Sequence, residues 1–433
     1  MIIYTKEKTE RQQYIFVHIF KRILGIEFEL CTDIHYFNSF DGYKLNYSDI
    51  LMENVLSIYP HNLLFENDIH LQDITFSIYN DMPICFSEQV ATSALPFDVF
   101  AACFFFLSRY EEYFPQTKDI HQRYDVSNSL AYKHDFLHLA VVDRWIKLFA
   151  DKLQEKYPDI FFPERKFSFI PTYDIDLAYT YKHKGFLLNA GGFVRSLLKL
   201  DFRGIRKRAN VLRGKLSDPY ETFDYLSSLH QKYDLKPCYF FLVAQKRSKY
   251  DKNTCTENKN VQNLIQTLSE NADIGLHTSY YVMDNPEKIN FESACLQNII
   301  RISIDKNRHH YLRFSLPESY QLLVSKGIKE EYSMGYVHNV GFRAGTCNPF
   351  FFFDLQHNKT TDMLVYPLLF MENAFFAENA SQVINCLKPF VEEIQQYKGT
   401  LVSLFHNQSF GDEGNEQKWK AVYEELLKIV LKQ

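Results

Sequence analysis

The spacing of apolar residues changes character near residue 166. From there onward, short apolar runs alternate with longer stretches in which apolar residues recur every three or four positions, a pattern typical of strands alternating with amphipathic helices. The runs predict seven strands: Phe167–Tyr173, Pro237–Val243, Asp273–His277, Tyr311–Phe314, Val340–Ala344, Met363–Leu368 and Thr400–His406. The stretches between them predict helices, including Tyr220–Tyr233, Val261–Asn271, Phe291–Asp305, Glu318–Ser325 and Ala380–Gln396. Helical crossovers of this kind imply a parallel α/β sheet, and a barrel-like closure fits the length.

Residues 1 to about 165 show no recurrent alternation of strands and helices. Helical spacing is found over Tyr14–Leu24, Phe97–Tyr113 and Leu139–Leu153, and short β-like pieces lie at Phe28–Cys31, Leu63–Phe65 and Ile74–Ile78. A chain of 433 residues is long enough for two or three domains. We therefore predict a smaller α+β domain over 1–165 and an α/β domain over 166–433.

Composition and charge give no indication of a nucleic-acid-binding protein, a membrane protein or a disulfide-stabilised protein. The net charge of −5 gives no global indication of a nucleic-acid or membrane partner. The eight cysteines, among them Cys255, are scattered without a CxxC pair, which favours free thiols in a reducing compartment over a disulfide or zinc framework. Because the N-terminus lacks a signal-peptide pattern and no apolar run is long enough to span a bilayer, we expect a cytoplasmic protein.

Two carboxylates end the first predicted strand of the second domain. Asp174 and Asp176 are two residues apart, so on a strand both would face the same side. Two carboxylates at such a short distance remain ionised together only if a cation or a shared proton lies between them. An Asp-x-Asp pair is also a common turn signal and helix N-cap, so the pair alone does not establish a catalytic site.

The other predicted strands end in chemically active residues as well. In parallel α/β folds, chemistry gathers at the C-terminal ends of the strands. These ends carry His277, Arg313, Arg343 and the pair His406 and Asn407. The combination of His and Asp suits a divalent first-row metal with open positions, zinc most readily.

These motifs resemble the polysaccharide deacetylase family, carbohydrate esterase family 4, over about residues 166–433. The resemblance is carried by Thr172-Tyr-Asp-Ile-Asp176, Ile274-Gly-Leu-His-Thr-Ser279, Arg313-Phe-Ser-Leu-Pro317 and Leu401-Val-Ser-Leu-Phe-His406. It implies a distorted, incomplete (β/α) barrel, here with seven strands, and removal of acetyl groups from N-acetylated sugars with a divalent metal. The first 165 residues, with Ser108-Arg-Tyr-Glu-Glu112 and Val142-Asp-Arg-Trp145, resemble a companion domain of unknown role in a bacterial subgroup of these proteins.

The resemblance also implies a role for each residue of the site. Asp174 would be the general base, Asp176 and His277 metal ligands, and His406 the general acid that protonates the departing amine. Arg343 and Arg313 would orient Asp174 or bind substrate, and we assign Arg313, Tyr281 and Asn407 to substrate binding. A metal lowers the pKa of bound water and polarises a carbonyl, and a carboxylate beside an Arg can accept the proton of that water.

One position departs from the family pattern. The second family motif usually supplies two histidines four residues apart, but the fourth residue after His277 is Tyr281. Another residue or a water could complete the site, or the metal could have been lost. His310 is the first candidate substitute, followed by His309 and His338. The cofactor we expect is Zn²⁺, with Ni²⁺ and Co²⁺ as alternatives.

The leading functional hypothesis is a metal-dependent carbohydrate N-deacetylase in cell-surface glycan metabolism. Two alternatives remain open: a catalytically inactive carbohydrate-binding protein on the same scaffold, and a glycosidase that uses Asp174 with a second carboxylate. The expected partner is an N-acylated sugar or oligosaccharide. A basic stretch over 199–215 is either a solvated helix face or a contact for an anionic sugar substrate or an anionic membrane leaflet.

Overall fold

The computed structural model describes residues 1–88, 90–253, 256–375, 377–411 and 415–431; Cys255, predicted as a free thiol, lies outside them. The other seven cysteines are unpaired thiols, as the sequence predicts. The N-terminal strands are β1 (Ile2–Thr5), β2 (Glu29–Cys31), β3 (Lys44–Tyr47), β4 (Leu56–Ser57), β5 (Ser77–Tyr79) and β6 (Met82–Ile84). The helices of this part are α1 (Glu10–Phe16), α2 (Ile34–Ser39), α3 (Val99–Leu107), α4 (Leu130–Lys133) and α5 (Val141–Lys156).

The N-terminal part contains the strand and helix alternation that the sequence did not reveal. Its main sheet has the order β2-β1-β3-β4, every neighbouring pair is parallel, and α1 and α2 form the first two crossovers. The expectation of no alternation is therefore wrong. Strands of two to four residues are too short to show a period of two. The predicted β-piece Leu63–Phe65 is also wrong, because Asn62–Leu64 form a 3₁₀ turn.

The C-terminal part forms one large sheet with helices between its strands. Its strands are β7 (Ser168–Ile175), β8 (Cys238–Leu242), β9 (Asp273–Thr278), β10 (Lys306–His309), β11 (Glu330–Met334), β12 (Phe350–Asp354), β13 (Lys359–Pro367), β14 (Phe370–Met371) and β15 (Thr400–His406). Its helices are α6 (Phe186–Leu198), α7 (Phe202–Leu212), α8 (Phe223–Tyr233), α9 (Lys259–Ser269), α10 (Lys288–Ile300), α11 (Glu318–Ser325), α12 (Ala380–Gln396) and α13 (Asn415–Leu431).

The large sheet has the order β12-β13-β11-β10-β9-β8-β7-β15-β14. Every pair is parallel except β12 with β13. The parallel α/β prediction is confirmed in this coarser form. Because the strands are parallel, the C-terminal ends of β7, β9, β10 and β15 meet at one edge.

Two predicted strands are wrong. Tyr311–Phe314 is a turn, because Tyr311 and Leu312 have φ values of 63° and 49° and cannot continue a strand. The strand of this region is β10, just before it. Val340–Ala344 is also not a strand, because Gly341 has a φ of 148° and the Phe342 amide donates to the Leu137 carbonyl at 2.9 Å instead of to a sheet neighbour.

The hydrophobic core runs from the N-terminal part into the C-terminal part. The rings of Tyr14 and Phe104 pack on Phe353 of β12, with centroids 5.0 and 5.1 Å away. The Tyr14 hydroxyl also donates to the Phe351 carbonyl at 2.9 Å. These contacts fix the N-terminal part beside the large sheet. Within the described ranges, no helix is both long and apolar enough to cross a membrane.

Candidate metal and catalytic site

Five ionisable side chains converge at the C-terminal edge of the large sheet. Asp174 and Asp176 lie at the end of β7, His277 near the end of β9, His310 directly after β10, and His406 at the end of β15. Strand β7 lies between β8 and β15, and its pairing places Asp174 opposite His406. The register of the parallel sheet therefore brings residues that are up to 232 positions apart into one cluster.

Asp176, His277 and His310 form a compact group of possible metal ligands. One ligand atom from each lies within 4.8 Å of the others. His277 Nε2 is 3.3 Å from Asp176 Oδ1, and His310 Nε2 is 3.5 Å from Asp176 Oδ2. Tetrahedral ligands about 2.1 Å from a zinc ion are separated by about 3.4 Å, so these spacings suit a small divalent cation.

Hydrogen bonds turn the Nε2 atoms of both histidines toward Asp176. His277 Nδ1 is 2.9 Å from the Arg308 carbonyl, and His310 Nδ1 is 2.9 Å from Asp251 Oδ1. Because both partners are acceptors, each Nδ1 carries the proton and donates, which leaves the lone pair on Nε2 when the ring is neutral. A backbone carbonyl or carboxylate behind a histidine is the usual support of a metal-binding imidazole.

The residues present fit a divalent metal. Asp176 Oδ1 and His277 Nε2 are buried and have no hydrogen-bond partner among the residues that the structure describes. Burial would raise the pKa of Asp176, but His310 and His277 outweigh that effect and hold this pKa well below its usual value. Unpartnered buried donors and acceptors are costly, and a cation between them would satisfy both.

Asp174 is held by Arg308, a residue of β10 that the sequence analysis did not single out. Arg308 Nη1 donates to Asp174 Oδ1 at 3.0 Å and to the Thr172 hydroxyl at 2.7 Å. Arg308 Nε donates to the Tyr332 carbonyl at 3.0 Å, and its guanidinium lies 4.5 Å from the Phe240 ring centre. A fully buried arginine with these contacts fixes the orientation of the carboxylate.

His406 is held by Glu372, which follows β14. His406 Nδ1 is 2.6 Å from Glu372 Oε1, and the His406 amide donates to the same oxygen at 2.9 Å. His406 Nε2 lies 3.7 Å from Asp176 Oδ2 and therefore faces the cluster. Burial would lower the pKa of His406, but Glu372, followed by Asp176 and Asp174, raises it to about 10.

A cavity of about 430 Å³ opens over the cluster. The N-terminal part contributes His121 and Arg123 to its wall. Arg123 Nη1 donates to the Tyr311 carbonyl at 2.9 Å, and His121 Nδ1 is 3.0 Å from the Tyr280 hydroxyl. The N-terminal part therefore forms one side of the opening above the five ionisable residues.

Four of the predicted site residues lie elsewhere or have structural partners. Arg343 is bound to Glu112 of the N-terminal part at 2.6 and 2.9 Å, not to Asp174. Arg313 forms a bidentate pair with Asp284 at 2.7 and 2.9 Å. Tyr281 lines a separate small cavity. Asn407 donates to the Leu177 and Tyr220 carbonyls at 3.0 and 2.9 Å and so fixes neighbouring loops.

Sequence reasoning missed three supporting residues: Arg308, Asp251 and Glu372. Arg308 lies in Lys306-Asn-Arg-His309, whose polar character hid a buried strand. Asp251 lies in the loop after β8, and Glu372 follows a strand of only two residues. No local pattern marks the last two, because their partners are 59 and 34 positions away. His309 was a weaker candidate ligand; its Nδ1 is 2.9 Å from the Thr278 hydroxyl.

A family model matches only the N-terminal part. It covers residues 1–158, and the family is described as one of unknown function (DUF7033). The matched residues fall within the segment that resembles a companion domain. A comparison with curated proteins gives no match.

Several solved structures are similar to the chain at low sequence identity. A Mycobacterium smegmatis protein assigned as a polysaccharide deacetylase is 10% identical, with a TM-score of 0.40, over 62% of this chain and 86% of its own. Puue allantoinase is 11% identical, with a TM-score of 0.38, over 61% of this chain and 87% of its own. A polysaccharide deacetylase from Bacillus cereus is 12% identical, with a TM-score of 0.29, over 60% of this chain and 87% of its own. Similarity at these TM-scores does not establish a function for the chain.

Proposed function

We propose that the chain is a metal-dependent hydrolase that removes an N-acetyl group from a sugar. The observation that carries this proposal is the convergence of two Asp and three His side chains at the edge of the sheet. Each of the three histidines there has an acceptor behind its Nδ1, so its Nε2 is turned toward Asp176. An arrangement of three ligands, a separate carboxylate and a separate imidazole suits hydrolysis of an amide.

Asp176, His277 and His310 would hold the metal, with Zn²⁺ preferred and Ni²⁺ or Co²⁺ as alternatives. When bound, a divalent cation polarises the acyl carbonyl and lowers the pKa of a water ligand. His310 then takes the place of the histidine that Tyr281 replaces in the family motif. Asp251 and the Arg308 carbonyl hold the two imidazoles in the tautomer that binding requires.

Asp174 and His406 divide the proton transfers between them. Asp174, oriented by Arg308, accepts a proton from the attacking water as the oxygen of that water bonds to the acyl carbon. His406, oriented by Glu372, donates a proton to the nitrogen as the carbon–nitrogen bond breaks. The products are a carboxylic acid and a free amine. This is general base and general acid catalysis by two groups whose environments differ.

The substrate and the domain division belong to the same proposal. The motifs quoted above support an N-acylated sugar in cell-surface glycan metabolism, and Trp419 and Tyr311 line the cavity where a sugar ring could pack. We assign residues 1–165 to a companion domain and 166–433 to an incomplete (β/α) barrel of the deacetylase kind. The separate sheet β2-β1-β3-β4 supports that division.

The test is product analysis on N-acetylated oligosaccharides of defined length. Zinc-loaded wild type is expected to release acetate and free amine in equal amounts, and Asp174→Asn to lose this activity by at least about 10³-fold while retaining its metal. New reducing ends without acetate would favour a glycosidase. Saturable binding of the oligosaccharides without any product, for every metal offered, would favour a carbohydrate-binding protein.

A further inference from the structure

A helical hairpin over residues 186–216, which we call the 186–216 hairpin, exposes an unusual number of large apolar side chains. It consists of α6, α7 and the residues that follow them. Five apolar residues of α6 share one face of the helix: Phe186, Leu187, Val194, Leu197 and Leu198. Successive members of this set are one, seven, three and one positions apart. Their exposed fractions are 84%, 84%, 57%, 56% and 80%. The connection and α7 add Leu200 and Phe202, which are 72% and 64% exposed.

The same hairpin is strongly basic. Residues 186–216 contain eight Lys and Arg but a single Asp, in a chain whose net charge is −5. Six of the cations are exposed and have no ion-pair partner among the residues that the structure describes: Arg195, Lys199, Arg203, Arg206, Arg213 and Lys215. Arg208 instead points inward, where it donates to Asn189 Oδ1 at 3.0 Å and packs on the Tyr181 ring. The hairpin is thus held together by one arginine and presents the others to its surroundings.

The base of the hairpin is firmly tied at the rim of the site. The Asp218 carboxylate accepts hydrogen bonds from the amides of Thr180, Tyr181 and Lys182 at 2.6, 2.7 and 2.9 Å. Asn407, next to His406, donates to the Leu177 and Tyr220 carbonyls on either side of this base. Both ends of the hairpin are therefore fixed beside the candidate site, while its apolar stripe stays exposed.

We propose that the 186–216 hairpin docks on the surface of an anionic lipid bilayer. An exposed apolar stripe and a cluster of unpaired cations on one protruding element match hydrocarbon and phosphate headgroups at the same time. Nucleic acid would account for the cations but not for the stripe. An apolar protein surface would account for the stripe but not for a net charge of one sign. The bilayer surface is the partner whose chemistry covers both.

Docking in this way would bring the candidate cavity close to the membrane. The hairpin begins ten residues after Asp176, and the segment that leads into it is bound by Asn407, the residue that follows His406. A substrate held at a lipid surface would then meet the opening without leaving it. The docking itself does not depend on the proposed hydrolysis and can be tested without any substrate.

The test is co-sedimentation of the 433-residue chain with phosphatidylcholine vesicles that contain 0 or 30% phosphatidylglycerol. The apolar variant is Phe186→Ser/Leu187→Ser/Leu198→Ser. A matched control changes equally exposed residues elsewhere, Phe161→Ser/Leu71→Ser/Leu51→Ser, whose exposed fractions are 76%, 76% and 74%. Wild type and control are expected to bind the anionic vesicles, and the apolar variant to remain in the supernatant. All six positions are exposed, so folding is expected to be unaffected.

A second pair of variants tests the charges. Arg203→Gln/Arg206→Gln/Arg213→Gln is expected to weaken binding about 100-fold, at about fivefold per cation near the surface. The matched control removes the same number of exposed cations elsewhere: Lys326→Gln/Lys359→Gln/Lys398→Gln. Wild-type binding should also fall between 0.1 and 1 M salt, as the screening length drops from about 10 to about 3 Å.

Three outcomes would overturn the proposal. Wild type could fail to sediment with anionic vesicles at low salt. The control variants with three substitutions could lose binding as strongly as the hairpin variants with three substitutions, which would indicate general surface adhesion. Wild type could form a dimer that the apolar variant abolishes, without binding vesicles, in which case the stripe contacts a second copy of the chain. A Leu198→Trp variant adds a site-specific readout, because its emission should shift to the blue only if the hairpin enters the interface.

Discussion

Arg308 Nη1 and Asp174 Oδ1 are joined by a 3.0 Å hydrogen bond, and neither residue is more than 2% exposed. The same guanidinium binds the Thr172 hydroxyl and the Tyr332 carbonyl, so Arg308 of β10 connects β11, its neighbour in the sheet, with the more distant β7. The arginine that orients the proposed base is therefore neither Arg313 nor Arg343. It lies on the strand beside His277, and its carbonyl also supports that imidazole.

Replacing Arg308 by Lys should disable the proposed base. A lysine keeps the charge but cannot reach Asp174, Thr172 and the Tyr332 carbonyl together, because it lacks the planar fork. We expect kcat to fall about 10²-fold with little change in KM, since orientation in the transition state is lost. Steady-state kinetics on zinc-loaded protein measure this. Arg343→Lys is the control, and a larger loss of kcat in that variant would contradict the assignment.

Glu372→Gln should impair the proposed acid without removing the metal. Gln is nearly isosteric but lacks the charge that holds a protonated His406, whose Nδ1 lies 2.6 Å from Glu372 Oε1. We expect kcat to fall about 10- to 100-fold, within the usual range for general acid catalysis. The measurement is kcat together with metal content. Ser409→Ala removes another contact of the same carboxylate and should cost little, so an equal loss in both variants would argue against a specific role.

Glu112 should be essential for stability rather than for chemistry. It is buried between Arg343 and Arg109, at 2.6 and 2.8 Å, and joins the N-terminal part to the connection between β11 and β12. Glu112→Ala would leave Arg343 buried without a carboxylate and Arg109 paired with Glu111 alone, and breaking a buried ion pair typically costs about 3–5 kcal/mol. Urea unfolding measures the change. Asp151→Ala removes the exposed pair with Lys147 and should cost no more than about 1 kcal/mol. Equal effects would mean that the buried network is unimportant.

The burial of His18 should make the folded chain less stable in mild acid. Burial lowers the pKa of His18 to about 3 in the folded chain, whereas an exposed histidine titrates near 6.5. As the pH falls below about 6.5 the unfolded chain takes up a proton that folded His18 does not, so stability decreases. At pH 5 this amounts to about 2 kcal/mol. Urea unfolding at pH 7 and pH 5 should therefore show a smaller pH effect for His18→Phe than for wild type. Equal pH effects would contradict a neutral, buried His18.

The sequence predicted the strands β7 and β15 well but did not predict β10 and β11. β15 was predicted with its observed bounds, and β7 differs by one or two residues at each end, because both consist largely of apolar residues. β10 and β11 were missed, since Lys306-Asn-Arg-His309 and Glu330-Glu-Tyr-Ser-Met334 are polar although mostly buried. Buried polar side chains of these strands have partners elsewhere in the fold, such as Asp174 of β7 for Arg308 and Tyr320 of α11 for Glu331. Hydrophobic periodicity cannot reveal such strands.

The site residues at the ends of strands could be predicted from the sequence, but the residues that orient them could not. The C-terminal ends of the apolar strands gave Asp174, Asp176, His277 and His406, because one geometric rule selects them. The misplaced strand at Tyr311–Phe314 put Arg313 where Arg308 belongs, an error of five positions. Asp251 and Glu372 could not have been found, since each acts through a histidine that is distant in the chain.

Metal content shows directly whether Asp176, His277 and His310 form a divalent metal site. Elemental analysis should find about one ion per chain in wild-type protein after reconstitution with Zn²⁺, Ni²⁺ or Co²⁺ and desalting. His277→Ala and His310→Ala should each lose it. His338→Ala, which changes another histidine of the same cavity, should retain it. A wild-type protein that takes up none of the three metals, or a His310→Ala variant that keeps its full complement, would mean that these three residues do not form the metal site.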